Sequence, residues 1–87
     1  MRSSILCLIE MTDDTIQKRF GDRIRALRQL RRLSQEELAF RAGIHRTYLG
    51  GVERGERNPA LKNINSLAEA LNVTLSELFQ FSDKPRK

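Results

Sequence analysis

The stretch Gln35–Arg54, QEELAFRAGIHRTYLGGVER, constrains this chain more than any other. Its apolar and small residues fit two short helices that cross at a tight bend. With Gln35 opening the first helix, Leu38, Ala39, Ala42, Ile44, Leu49 and Val52 fall where crossing helices must bury apolar groups. Ala39 is small where the two backbones come closest. Gly43 falls at the bend, where a left-handed residue ends a helix at no steric cost. Ser34, with Glu37 three residues on, forms a capping box that marks the helix start.

These features together spell a helix-turn-helix motif, whose second helix enters the DNA major groove. The bland reading of the same residues is an ordinary helical pair joined by a glycine turn. Composition favours the first reading. The chain has 87 residues, enough for one domain with a modest core. It carries 16 Lys and Arg against 11 Asp and Glu, a net charge of +5, which points to an anionic partner such as nucleic acid. At 39% apolar and 31% charged residues it suits a soluble globular protein.

Other classes fare worse. One cysteine (Cys7) and one histidine (His45) give no disulfide and no metal-ligand cluster. No cofactor is called for. His45 has no serine, cysteine or carboxylate placed beside it as an acid–base or nucleophilic set, so no catalytic residue is expected. No stretch reaches membrane-spanning length, and Ile5–Ile9 is too short for a signal peptide, so the chain is read as cytoplasmic. Residues 1–15 are expected to be an extension outside the domain, with Met11 as an alternative start, or else a short extra helix or strand that covers apolar surface. The domain spans 16–81, and 82–87 form a basic tail.

The expected fold is all-α with five helices. Helix one runs from about Ile16 to Arg31, with Ile16, Phe20, Ile24 and Leu27 as its apolar stripe. Arg19, Arg23 and Arg25 read as a solvated face. Leu33 should plug the core. Helices two and three are Gln35–Arg41 and Arg46–Glu53. Arg54–Pro59 is a loop. Helix four, about Leu61–Leu71, places Leu61, Ile64, Leu67, Ala68 and Leu71 on one face. Asn72 is its left-handed terminator, and the Thr74–Glu77 capping box opens helix five, Leu75–Gln80.

The segments LSQEELA (33–39), AGI (42–44), YLGGVERGERNP (48–59), LAEALNV (67–73) and LSELF (75–79) resemble the phage-repressor class of helix-turn-helix proteins, the Cro/cI-like or XRE family. The resemblance covers about Phe20–Phe79 and implies a compact, lambda-repressor-like domain. RTYLGGVERGERN is most similar to the controller proteins of restriction–modification systems, which are small dimeric DNA-binding regulators. The resemblance implies that Gln35 bonds a DNA phosphate and that Arg28 and Glu53 form an internal ion pair. Two positions depart from the pattern. His45 stands where a Ser or Thr normally caps the recognition helix, a change worth about 1 kcal/mol by analogy with cap deletions. Ala60 replaces a capping hydroxyl before helix four.

The remaining site residues keep two readings each. Arg46 and Thr47 open the recognition helix and can read base edges, or Arg46 holds a phosphate and Thr47 supports the cap. Gly50 and Gly51 let the helix seat deeply against the bases, or are a tolerated weakness costing about 1 kcal/mol each. Tyr48 stacks or bonds a phosphate, or is a half-buried strut. His45, Arg54, Arg57 and Asn58 can meet the sugar-phosphate backbone, or the loop is merely solvated. Leu75, Leu78, Phe79 and Phe81 offer more apolar surface than a small core needs, which suggests a dimer interface. The leading function is a homodimeric transcriptional regulator reading a near-palindromic operator on double-stranded DNA, with no small-molecule effector evident. Competing classes are an antitoxin-like interaction module that autoregulates its operon and a non-specific nucleic-acid binder. Neighbouring methyltransferase and endonuclease genes would settle the controller reading.

Overall fold

A computed structural model describes residues 15–81. The expectations for an N-terminal extension over 1–15 and a basic tail over 82–87 lie outside the described residues except at Thr15, which caps the first helix. Five helices follow in order: α1 Ile16–Leu30, α2 Gln35–Ala42, α3 Arg46–Glu53, α4 Leu61–Leu71 and α5 Leu75–Leu78. No strand occurs among the described residues. Among the described residues the arrangement is the all-α, five-helix one expected from the sequence.

Local chemistry sets most boundaries. Thr15, Ser34 and Thr74 each accept a hydrogen bond from a backbone N–H in the first turn that follows. At Ser34 and Thr74 the reciprocal glutamate bond closes a full capping box, Glu37 Oε1 to the Ser34 N–H at 2.9 Å and Glu77 Oε1 to the Thr74 N–H at 2.9 Å. Ala60 gives α4 no side-chain cap.

Three helix ends share one connector. Arg32, Gly43 and Asn72 have φ of 59°, 71° and 59°. At each, the left-handed residue bonds back three positions: Arg32 to Gln29, Gly43 to Phe40, Asn72 to Glu69. The next residue bonds back five: Leu33 to Arg28, Ile44 to Ala39, Val73 to Ala68. This is the Schellman ending, which satisfies orphan carbonyls. Leu33, Ile44 and Val73 then pack against the core, and the following residue caps the next helix. Arginine is a poor choice for a left-handed position, where an L side chain crowds the following carbonyl. Arg32→Gly is therefore expected to raise stability by about 0.5–1 kcal/mol in denaturant melts. A loss of stability would show that the Arg32 side chain makes a compensating contact.

The core is Phe20, Ile24 and Leu27 of α1, Leu38, Ala39 and Ala42 of α2, Leu49 and Val52 of α3, Leu67, Ala68 and Leu71 of α4, and Leu78 of α5. Two expected stripe residues stand outside it: Ile16 is 53% exposed and Leu61 77%. Each is the first residue of its helix, as is the half-exposed Leu75. Side chains on a helix lean toward its N-terminus, so the first one overhangs the end instead of covering the core.

Two arginines lock the C-terminal helices onto α1. Arg31 Nε donates to the Leu71 carbonyl at 2.8 Å, placing a cation at the negative end of α4. Arg23, expected in a solvated face, forks onto the Glu77 carbonyl at 3.2 and 2.8 Å. Among the described residues, no helix is long and apolar enough to cross a membrane.

Candidate nucleic-acid interface

The site is built around α3. Leu49 and Val52 are fully buried and fix which face of the helix points inward. Arg46 and Thr47, in its first turn, are exposed. The N-terminus is capped by His45, whose Nδ1 accepts from the Thr47 N–H at 3.0 Å. Imidazole thus takes the place of the usual hydroxyl. It can do so only as the neutral tautomer with its proton on Nε2.

A buried carboxylate holds the other end of α3. Glu53 is wholly inaccessible to solvent. Arg28 forks onto it, Nε to Oε2 at 2.7 Å and a terminal nitrogen to Oε1 at 3.0 Å, and also donates to the Leu33 carbonyl at 3.0 Å. Gln35 Nε2 donates to Glu53 Oε1 at 3.0 Å, and Arg25 Nε lies 3.8 Å away. Glu53 therefore ties α3 to α1 and to the first residue of α2, and Arg28 extends the network to the α1–α2 turn. A bidentate guanidinium–carboxylate pair fixes orientation as well as distance. Gln35 is half-buried and spends one amide hydrogen on Glu53, which leaves the other for an outside acceptor.

The close approach of α1 to α3 depends on Gly21. A Cβ there would lie 2.3 Å from the Val52 carbonyl oxygen and 2.6 Å from that of Glu53. No side chain fits that gap.

Gly50 and Gly51 are not open to the outside. Both are buried, and the groups against them belong to this chain. A Cβ on Gly50 would meet the Arg54 guanidinium at 3.2 Å and the Gln35 amide at 3.6 Å. One on Gly51 would meet Arg57 Cγ at 2.7 Å. The expectation that these glycines seat the helix against bases is corrected to this extent: the space they leave is filled by the Arg54 guanidinium and the stem of Arg57. Tyr48 is half-buried and held on two sides. Its hydroxyl accepts from Asn63 Nδ2 at 3.2 Å, and the Arg57 guanidinium sits 5.8 Å above its ring. Arg54 pairs with Glu56, and Arg57 and Asn58 are exposed beside them.

A second correction concerns the expected dimer surface. Leu78 is fully buried within the protomer, because α5 must close the core over α4. It cannot also face a second copy. Phe79 stacks on Phe20 at 5.1 Å and leans on Phe81 at 6.1 Å, and Phe81 packs partly against the core. Leu75 and Phe79, each 43% exposed, are what remains on the outside.

The profile of the helix-turn-helix family matches residues 24–78, from the middle of α1 to the end of α5. The chain belongs to the helix-turn-helix family. Among its relatives, the control protein C.BamHI of Bacillus amyloliquefaciens is 40% identical over 70 residues, spanning 79% of this chain and 86% of that one. The control protein C.SmaI of Serratia marcescens is 44% identical over 63 residues, 72% of this chain and 75% of its own. Among solved structures, the restriction–modification controller protein C.AhdI from Aeromonas hydrophila superposes with a TM-score of 0.70 at 53% identity, covering 71% of this chain and 94% of that one.

Several residues of this helix-turn-helix unit gave no usable signal in the sequence. Gly21 reads as a weak spot in α1 until the backbone 31 residues later is seen against it. Asn63 reads as a polar residue at the edge of a stripe. Arg23 and Arg31 read as surface charge. Each has a partner that only the crossing of distant helices supplies. Among the described residues, no group of three or more His, Cys, Asp or Glu is placed to hold a metal ion.

Proposed function

We propose that this helix-turn-helix protein is a sequence-specific transcriptional regulator of the restriction–modification controller type. It works in the cytoplasm as a homodimer on a near-palindromic stretch of double-stranded DNA. The observation that carries this reading is the presentation of Arg46 and Thr47. They are exposed in the first turn of a helix whose inner face and far end are immobilised by Leu49, Val52 and the Glu53 network. Arginine there can pair bidentately with guanine O6 and N7, and threonine can meet a thymine methyl. Around it, Gln35, His45, Tyr48, Arg54, Arg57 and Asn58 supply donors for the sugar-phosphate backbone. The similarity to control proteins in sequence and to a controller protein in structure supports the subgroup. The outward Leu75 and Phe79 give α5 an apolar edge suited to a two-fold partner.

Selection of duplexes from a random pool tests this. The selected site should be an inverted repeat whose half-sites lie about one DNA turn apart, roughly 34 Å, and sedimentation should find two chains per duplex. In competition against single-base variants of that site, Arg46→Ala should lose about 1–3 kcal/mol and relax preference at one base pair. Gln35→Ala should weaken binding to all sequences alike. A uniform loss for Arg46→Ala would move Arg46 to the phosphate backbone. One chain per duplex would remove the dimer.

A further inference from the structure

The end of α3 repeats the Schellman connector with one change. Gly55 takes φ of 81°, its N–H bonds the Val52 carbonyl at 3.0 Å, and the next N–H bonds the Gly51 carbonyl at 2.9 Å. In the other three connectors that next residue is Leu33, Ile44 or Val73, packed on the core. Here it is Glu56, which is exposed. A glutamate at this position contributes nothing to packing. Instead its carboxylate forks onto Arg54, at 3.1 Å from Nε and 3.1 Å from a terminal nitrogen. Arg54 in turn lies over Gly50, beside the Gln35 amide. Glu56 thus occupies the guanidinium edge that a phosphate would take, with the same two-oxygen geometry.

We infer that Glu56 is a specificity-setting residue: an internal stand-in for phosphate that keeps Arg54 occupied until α3 is seated on its correct site. This inference rests on the DNA-binding reading above. In a loose complex with arbitrary sequence, no phosphate is held in register to displace the carboxylate, and its negative charge faces the DNA. On the correct site, base contacts at the first turn of α3 fix the helix, and a phosphate can exchange with Glu56. The carboxylate then swings out by rotation about its own side-chain bonds, Glu56 being exposed. The mutual pull of the pair agrees with the directions of titration. Arg54 is raised by its hydrogen bond and charge contact with Glu56, and Glu56 is lowered first by Arg54 and in small part by Arg57.

The test compares wild type with Glu56→Gln on two duplexes, the site selected by wild type and a scrambled sequence, across a range of salt. Freeing Arg54 to neutralise one phosphate should steepen the salt slope on scrambled DNA by about 0.9. That corresponds to a gain of roughly eightfold on going from 1 M to 0.1 M salt. The selected site should gain less, so the ratio of selected to scrambled affinity falls. In an Arg54→Gln background the effect of Glu56→Gln should vanish. Thermal melts should be unchanged, since both side chains are exposed. An equal gain on both duplexes, an unchanged slope, or a gain that persists without Arg54 would each overturn the inference while leaving DNA binding intact. Failure of wild type to bind either duplex would overturn the DNA-binding reading and the inference together.

Discussion

Glu53→Ala and Arg28→Ala are each expected to cost about 3–5 kcal/mol, because each leaves an uncompensated buried group. Glu53 is fully buried and the Arg28 side chain is only 13% exposed. Without Arg28, the carboxylate keeps one amide bond from Gln35 and a distant Arg25. Without Glu53, the guanidinium keeps only the Leu33 carbonyl. For a chain of 87 residues the whole stability is of order 4–13 kcal/mol, so either change consumes a large part of it. Denaturant melts should show a lowered midpoint with the slope unchanged. The double variant should cost less than the sum of the two, since the second change removes the charge that the first stranded. Losses below 1 kcal/mol for both would mean the pair behaves as a surface salt bridge, worth about 0–1 kcal/mol. Loss of Glu53 should also release Gln35, so weakened binding to duplexes of any sequence should accompany the lost stability.

Gly21→Ala is the second large effect. A methyl group in mid-helix normally gains about 1 kcal/mol over glycine. Here it would meet two backbone carbonyl oxygens at 2.3 and 2.6 Å, and the backbone of α3 cannot step aside as a flexible side chain can. Overpacking of this kind costs about 3 kcal/mol. The net loss should therefore be about 2 kcal/mol, a fall in Tm of about 8–16 °C for a domain of this size. Because the clash lies on Val52 and Glu53, any relief must tilt α3 away from α1 and loosen the Arg28 fork. The variant should thus bind DNA less well even at temperatures where it is folded. A rise in Tm would show that the helices stand further apart.

Much of the fold was legible because its signals are local. The Ser34 and Thr74 capping boxes, the left-handed Gly43 and Asn72, and the apolar stripes of α1 to α4 depend on residues within five positions of one another. The bounds Arg46–Glu53 and Leu61–Leu71 follow from those signals and recur unchanged in the structure. Ile16 and Leu61, first residues of their helices, stand outside the stripes expected of them for a reason that is also local, the lean of side chains toward the helix N-terminus.

The candidate site divides the same way. Spacing alone put Arg46 and Thr47 in the first turn of the outward helix and made Gly43 the bend. Only tertiary structure decided which charges are used inside the molecule and which face outward. Arg23 and Arg31 end on carbonyls of distant helices, Asn63 reaches across to Tyr48, and Gln35 turns in toward Glu53. Leu78 goes to the core while Phe79 stays at the edge. The residue types there permit either role, and the choice depends on a few ångströms of separation between helices far apart in the chain. Gly21 shows why. Its meaning lies in the backbone of Val52 and Glu53 pressed against it, and a sequence does not display where its own distant backbone will pass.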